Sequence, residues 1–142
     1  MRQVVYPSFC PVCIEGLWVH LFKRVDLIDN VSVACPSAHN RPISVSVELL
    51  SLAHLRKPEE KHLGNEESYT ILWKHDGIVA HRWTNSTILE IPPADAGGQW
   101  GVVVEFSTPE VRKDEQGYLL GERNLTLADV CSLGTNGETG FT

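Results

Sequence analysis

Residues 89–106 read LEIPPADAGGQWGVVVEF, and this stretch decides the fold predicted for the 142-residue chain. Apolar side chains alternate at Leu89 and Ile91 and are dense again from Trp100 onwards, which is typical of two β-strands. The prolines and glycines between them disfavour helix and strand and favour turns. The stretch therefore predicts one strand, a sharp corner and a second strand.

Other segments with a period of two residues surround this corner. Residues 43–49 alternate apolar residues with Ser and Glu, as in a strand with one solvated face. Residues 69–74 and 78–83 flank Asp76-Gly77, a strong hairpin signal because both turn positions tolerate a positive φ. Residues 118–127 form the last predicted strand. Short strands at this spacing predict an antiparallel β-sandwich.

The corner resembles the turn between strands E and F of immunoglobulin-like domains, where an Asp-x-Gly-x-Tyr-x-Cys run reverses the chain. In the run that begins at Asp95, Trp100 stands where the tyrosine would be and Val102 where the cysteine would be. Trp73 would then correspond to the buried tryptophan of strand C. The cysteine pair that joins the sheets is missing, and another antiparallel sandwich with the same turn chemistry is the alternative. The predicted fold is mainly β, an immunoglobulin-like antiparallel β-sandwich preceded by one α-helix.

The helix is predicted from about residue 11 to residue 25. Pro11 is placed at its first position, where the missing N–H has no helical partner to lose. Apolar residues recur at helical spacing at Ile14, Leu17, Trp18, Leu21, Phe22 and Val25. If the chain is a piece of a longer protein, the part that would cover this apolar stripe is missing. We then expect Trp18, Leu21 and Phe22 to be exposed or poorly packed.

The sequence predicts three parts in the chain. Residues 1–42 contain the helix and an irregular connector that begins at Asp29. Residues 43–130 form the sandwich. Residues 131–142, rich in Gly, Thr and Asn, form a flexible tail.

Charge and hydropathy exclude two classes of partner from the prediction. The chain has 12 Lys and Arg against 18 Asp and Glu, a net charge of −6, and no basic cluster larger than a pair. That balance argues against nucleic acid and against an anionic membrane surface. No apolar run approaches the roughly 18 residues needed to cross a bilayer, so no membrane span is predicted.

Three N-glycosylation sequons, at Asn30, Asn85 and Asn124, favour a secreted protein. The first residues lack the apolar core of a signal peptide. These two observations agree if the sequence is a piece of a longer secreted chain, and extracellular localisation is the expectation.

Four cysteines, Cys10, Cys13, Cys35 and Cys131, are candidates for structural disulfides, with three possible connectivities. A structural zinc site formed by Cys10, Cys13, Cys35 and His39 is an alternative, since Cys-x-x-Cys suits tetrahedral thiolate binding. Redox chemistry at Cys10 and Cys13 is a further alternative, because a helix N-terminus lowers the pKa of a thiol. A thioredoxin-like fold would need a strand directly before this pair, which the sequence does not offer.

No catalytic residue is predicted. The six histidines fall in no tight ligand spacing, and no Gly-x-Ser-x-Gly run is present. His75, beside Asp76, is interpreted as part of the hairpin turn.

The start of the chain resembles the end of the catalytic domain of secreted zinc metallopeptidases of the IgA-peptidase type, which are metzincin-like. The resemblance rests on Met1-Arg2 and on residues 9–17, FCPVCIEGL, with a weaker likeness at residues 108–114, TPEVRKD. It implies that Met1 is the methionine of the turn beneath the zinc. It also implies a zinc cofactor in the full-length protein and a missing upstream catalytic domain. The His-Glu-x-x-His motif has no counterpart here, so this chain is expected to be no enzyme and to hold no cofactor.

Two functions follow as expectations. The first is a non-catalytic C-terminal segment of such a metallopeptidase, with the β-sandwich as an accessory or recognition module. The second is a self-contained secreted β-sandwich that binds a protein or glycan ligand in recognition or adhesion.

Overall fold

The computed structural model describes residues 9–37, 41–52 and 68–132. These residues form two helices and seven strands around a common core. The helices are α1 (Pro11–Phe22) and α2 (Leu127–Ser132). The strands are β1 (Ile28–Ala34), β2 (Ile43–Leu49), β3 (Ser68–His75), β4 (Ile78–Val79), β5 (Ile88–Ile91), β6 (Trp100–Ser107) and β7 (Leu120–Leu125).

The strands lie in two antiparallel sheets. One has the order β1-β2-β5 and the other the order β4-β3-β6-β7. The chain passes from the first sheet to the second after β2, returns for β5, and crosses again at the corner before β6. The prediction of a mainly β, immunoglobulin-like antiparallel sandwich preceded by one helix is confirmed.

The core lies between the two sheets and is closed by residues from both. Trp73 of β3 is fully buried, and its indole Nε1–H donates to the carbonyl of Ser86 at 2.8 Å. Its polar atom is therefore satisfied, while its ring fills the centre of the sandwich. Buried neighbours in the same cluster include Val45, Val47, Ile71, Leu89, Ile91, Trp100, Val102, Val104 and Phe106.

Trp100 stabilises the predicted corner through its buried ring and one hydrogen bond. Its ring is buried, and its Nε1–H donates to the carbonyl of Asp95 at 3.1 Å. A tyrosine hydroxyl makes the equivalent bond to upstream backbone in immunoglobulin-like domains. In this chain the indole N–H of Trp100 makes the bond to upstream backbone that the tyrosine hydroxyl makes there.

The tip of the β3–β4 hairpin is bonded to this corner. Asp76 and Gly77 have φ values of 48° and 83°, the left-handed pair of the predicted two-residue turn. The Asp76 N–H donates to the carbonyl of Gln99, and the Gln99 N–H donates to the Asp76 carboxylate, both at 2.8 Å. His75 stacks on Trp100 with ring centroids 4.3 Å apart. His75 is thus the last residue of β3, next to the turn, and it joins the hairpin tip to the corner.

The sandwich begins earlier in the chain than predicted. Strand β1 occupies residues 28–34, within the stretch expected to be an irregular connector. Its pairing with β2 shifts between Ile28 and Asn30. Such a bulge breaks the strict alternation that identifies a strand in sequence. The boundary expected at residue 43 therefore separates two paired strands of one sheet.

Other elements differ from the prediction at their ends. Helix α1 ends at Phe22, with Lys23 as its C-cap, rather than at residue 25. After β4 the chain makes one 3₁₀ turn, His81–Trp83, in place of continued strand. Cys131, expected in a flexible tail, belongs to α2. The rest of that predicted tail, residues 133–142, lies outside the described residues.

Helix α1 packs on the sandwich through its last turn. Phe22 is buried and contacts Phe106 with ring centroids 5.2 Å apart, while Trp18 stacks on Phe22 at 5.7 Å. Trp18 and Leu21 are half-buried. The expectation that this stripe would be exposed is wrong for Phe22, because β6 supplies an aromatic partner.

Candidate functional site on helix α1

The outward side of α1 is exposed and mostly apolar. Phe9, just before the helix, is 69% exposed, and Val12 and Leu17 are 67% and 55% exposed. At 3.6 residues per turn, Cys13, Gly16 and His20 lie opposite Trp18 and Phe22, and Val12 and Leu17 lie on the two flanks of that side. We call this side the outer helix surface; it comprises Phe9, Val12, Cys13, Gly16, Leu17 and His20, all exposed.

A helix that is apolar on both sides is typical of helices covered from both sides. Here the inner side is covered by the sandwich. The outer helix surface is not covered by any part of the chain that the structure describes. It is therefore a candidate contact surface.

An ion pair fixes the orientation of α1 on the sandwich. Glu15 accepts three hydrogen bonds from Arg112: from the backbone N–H at 2.8 Å, from Nε at 3.2 Å and from an Nη atom at 2.7 Å. The Glu15 side chain is 18% exposed and that of Arg112 is 67% exposed. These hydrogen bonds hold the pKa of Glu15 below its ordinary value.

The loop that carries Arg112 is itself held by hydrogen bonds of the Asp114 and Thr108 side chains. The Asp114 carboxylate accepts from the N–H groups of Tyr118 at 3.0 Å and Leu119 at 2.8 Å. The hydroxyl of the buried Thr108 donates to Glu110. Arg112 therefore reaches Glu15 from a braced loop, and the outer helix surface is presented in one orientation.

Two thiols lie at the start of α1. Cys10 is the N-cap residue and Pro11 takes the first helical position, as predicted. The Cys10 Sγ accepts a hydrogen bond from the Cys13 N–H at 3.2 Å, and the two Sγ atoms are 2.7 Å apart. The hydrogen bond between the two thiols lowers the pKa of Cys10 and raises the pKa of Cys13. Both cysteines are free and exposed.

The other two cysteines form a disulfide. Cys35 follows β1, Cys131 lies in α2, and their Cα atoms are 5.4 Å apart. Cys35 is thus not available to a zinc ion with Cys10 and Cys13, and His39 lies outside the described residues. Among the described residues no group of three His, Cys, Asp or Glu side chains could hold a metal.

The remaining predicted positions are dispersed. Asn30 is half-buried in β1 and Asn124 is exposed in β7. Asn85, exposed at φ 61°, accepts a hydrogen bond from the Ile71 N–H at 3.0 Å through its side-chain oxygen. Their glycosylation stays a prediction. Met1 lies outside the described residues.

A shallow groove of about 380 Å³ lies between the end of α1 and β7. It is lined by residues that include Lys23, Tyr118 and Glu122 and by the ion pair of Arg123 with Asp26. Neither of the two described helices is long and apolar enough to cross a membrane.

The sequence does not predict the outer helix surface. Its apolar spacing predicts that Leu17 lies on the packed stripe, and Leu17 is exposed instead. Val12 and Leu17 are five positions apart, about 140° around the helix, so no single apolar stripe in the sequence marks this surface. The Glu15–Arg112 contact had no signal in the sequence, because 97 positions separate the two residues.

Comparisons with known proteins give one distant similarity. The chain is 25% identical over 133 residues to a DNA ligase of Bifidobacterium longum strain DJO10A and to one of strain NCC 2705. The match covers 92% of this chain and 14% of each ligase, so the chain spans a small part of the relatives it matches. No family model and no solved structure matches the chain.

This similarity overturns the resemblance to IgA-peptidase-type metallopeptidases. A match over 92% of the chain to DNA ligases outweighs likenesses of 9 and 7 residues at 9–17 and 108–114. The structure gives both short runs another explanation. One opens α1 with a proline and a cysteine cap, and the other carries the arginine that holds α1 in place.

Proposed function

We propose that this chain is a recognition module, a β-sandwich that presents the outer helix surface to a partner protein. The observation that supports the proposal is the helix itself. It is fixed on one side by Phe22 and by Glu15, and it displays exposed apolar side chains on the other. The proposal concerns binding and assigns no catalysis to the sandwich.

The magnitude of the available binding energy favours a partner in the same polypeptide. Burying Phe9, Val12 and Leu17 would contribute roughly 1.5 to 3 kcal/mol each. Free association of two proteins costs about 4 to 15 kcal/mol, which uses up most or all of this gain. A covalently linked neighbour avoids most of that cost through a high effective concentration. We therefore propose that the partner is a neighbouring unit of a longer chain; the ligases that match are also much longer than this chain.

The ligase similarity does not lead to a proposal of DNA binding. DNA-binding surfaces gain affinity by neutralising phosphates with Lys and Arg. This chain has a net charge of −6. A protein partner with a neutral or basic apolar groove suits this charge better.

The proposal also places the module in an oxidising compartment, as expected of a secreted protein. The Cys35–Cys131 pair supports this part, because disulfides persist outside the reducing cytosol. Peptide mapping of the protein isolated from its source under alkylating conditions tests it. Recovery of Cys35 and Cys131 as alkylated free thiols would contradict this localisation.

Site-specific photocrosslinking in the source organism tests the recognition proposal. A photoreactive residue replaces Leu17 on the outer helix surface. The matched control places the same residue at Ile78, which is 75% exposed but lies on the β3–β4 hairpin. We expect one defined crosslink within the longer chain from position 17 and not from position 78; a crosslink from position 17 to a separate protein would contradict a partner in the same polypeptide.

A charge substitution on the same surface completes the test. Val12→Glu should abolish the crosslink from position 17 without lowering the melting temperature, because Val12 is exposed. Ile88→Glu, at an exposed residue of β5, should leave the crosslink unchanged. Equal crosslinking from positions 17 and 78, or a crosslink that persists in Val12→Glu, would reject the proposal.

A further inference from the structure

The Cys10–Cys13 pair has a geometry that the recognition proposal does not use. The two Sγ atoms lie 2.7 Å apart, in one turn at the start of a 12-residue helix. Closing a disulfide requires only a small further approach, to about 2.05 Å. Cys35 and Cys131 are bonded to each other and do not compete for either thiol.

We propose that Cys10 and Cys13 form a reversible dithiol–disulfide couple that exchanges with disulfides of small thiol compounds or of exposed protein cysteines. Cys10 is the attacking thiol and Cys13 the resolving thiol. Cys13 belongs to the outer helix surface, so the inference concerns the chain with that surface uncovered, and it is tested on the chain alone.

The position of each sulfur assigns these roles. The Cys10 Sγ accepts a hydrogen bond from the Cys13 N–H, which stabilises a thiolate, and the Cys13 Sγ lies 2.7 Å away. The positive end of the helix dipole acts in the same direction. Once Cys10 has lost its proton, its thiolate can accept a hydrogen bond from the Cys13 thiol, which therefore keeps its proton until Cys10 has reacted. The lowered pKa of Cys10 and the raised pKa of Cys13 agree with this order.

Access also fits such a site. Both cysteines are exposed, and the exposed apolar side chains of Phe9 and Val12 lie beside them in the chain. A disulfide substrate can therefore reach Cys10 without any rearrangement of the sandwich.

The exchange balances in two steps. The Cys10 thiolate attacks one sulfur of R–S–S–R, forms a mixed disulfide and releases one R–S⁻. Cys13 then loses its proton to water, and its thiolate attacks the Cys10 sulfur, which closes the Cys10–Cys13 bond and releases the second R–S⁻. Two electrons pass from the protein to R–S–S–R, and the two leaving thiolates are protonated according to their pKa.

Equilibration of the whole chain with reduced and oxidised glutathione, followed by acid quenching, alkylation and peptide mapping, tests the inference. We expect the wild-type chain to form the Cys10–Cys13 disulfide with no lasting glutathione adduct, and to lose it again as reduced glutathione is raised. At neutral pH iodoacetamide should modify Cys10 faster than Cys13, because the pKa of Cys10 is lowered and that of Cys13 is raised.

Two single variants separate the roles. Cys13→Ser should accumulate a stable glutathione adduct on Cys10, because the resolving thiol is gone. Cys10→Ser should leave Cys13 slow to react with either reagent. The Cys35–Cys131 peptide provides the internal control and should stay oxidised throughout. A wild-type chain that accumulates the Cys10 adduct as Cys13→Ser does, or one whose Cys13 reacts first, would overturn the inference.

Discussion

Arg112 donates three hydrogen bonds to Glu15 across 97 positions of the chain and thereby ties α1 to the loop that follows β6. The carboxylate is the acceptor of all three bonds, so its charge state controls the contact. Its pKa is lowered from an ordinary value of 4.5 by these bonds. A group with a lowered folded-state pKa stabilises the fold above its unfolded-state pKa and loses that contribution as pH falls.

Glu15→Gln should therefore lower the melting temperature at pH 7, because the neutral amide cannot pair with the guanidinium. The deficit should shrink as pH falls below 4.5 and through the lowered pKa of Glu15. Thermal unfolding at several pH values measures this. Glu90→Gln, at an exposed residue of β5, serves as the control. A deficit that is the same at pH 3 and pH 7 would contradict the role assigned to the charge.

Trp100 should be the costliest residue of the corner to replace. Trp100→Ala removes a buried ring and should destabilise the fold by about 3 to 5 kcal/mol. Trp100→Phe keeps an aromatic ring but loses the hydrogen bond to the Asp95 carbonyl, so its effect should be smaller. Urea denaturation measures both. An unchanged midpoint for Trp100→Ala would show that the corner is held by other contacts.

Two adjacent glycines should differ in how well they tolerate alanine: Gly98→Ala should destabilise the fold, and Gly97→Ala should not. Gly98 has a φ of 82°, and a Cβ there would lie 2.6 Å from a carboxylate oxygen of Asp76. The left-handed backbone alone costs a non-glycine residue about 1 to 2 kcal/mol. Gly97 has open space around the same position, so Gly97→Ala should be close to neutral. Similar urea midpoints for the two variants would contradict the close approach of the hairpin tip to the corner.

The disulfide should contribute strongly to stability. The sequence separation of Cys35 and Cys131 is 96, and in the chain-entropy model a loop of that size stabilises a fold by about 4 to 5 kcal/mol. The double variant Cys35→Ser, Cys131→Ser should lose most of this in urea denaturation. Reducing agent should shift the midpoint of the wild-type chain and leave that of the variant unchanged. Equal midpoints for the oxidised wild type and the variant would mean that the bond adds nothing.

Local sequence patterns were sufficient to predict those parts of the fold that depend on neighbouring residues in the chain. The corner before Trp100 and the Asp76-Gly77 hairpin depend on nearby turn residues, and both predictions are confirmed. Strand β1 was missed because its bulge at Ile28 and Asn30 interrupts the alternation. Such an irregularity is fixed by pairing with β2, which a single segment does not reveal.

The candidate site was predictable only in part. The cysteine cap of α1 follows from Pro11 and the spacing of the pair. The pairing of Cys35 with Cys131 could not be chosen among three connectivities, because the choice depends on where β1 ends and α2 begins. Which side of α1 packs inward is decided by Phe106, far away in the chain.

The bond between Cys35 and Cys131 also determines how the molecule responds to tension. It encloses β2 to β7, so a force applied at residues 9 and 132 reaches Cys35 and passes directly into Cys131. Only α1 and β1 lie outside this closed loop on the N-terminal side, and they should peel away first. While the disulfide is intact, the residues between the two cysteines cannot be stretched out. Fully extended at about 3.3 Å per residue, they would add roughly 300 Å to the length of the chain. In a pulling experiment the oxidised protein should lengthen far less than the reduced protein, which makes the sandwich a short and stiff link in any longer chain that contains it.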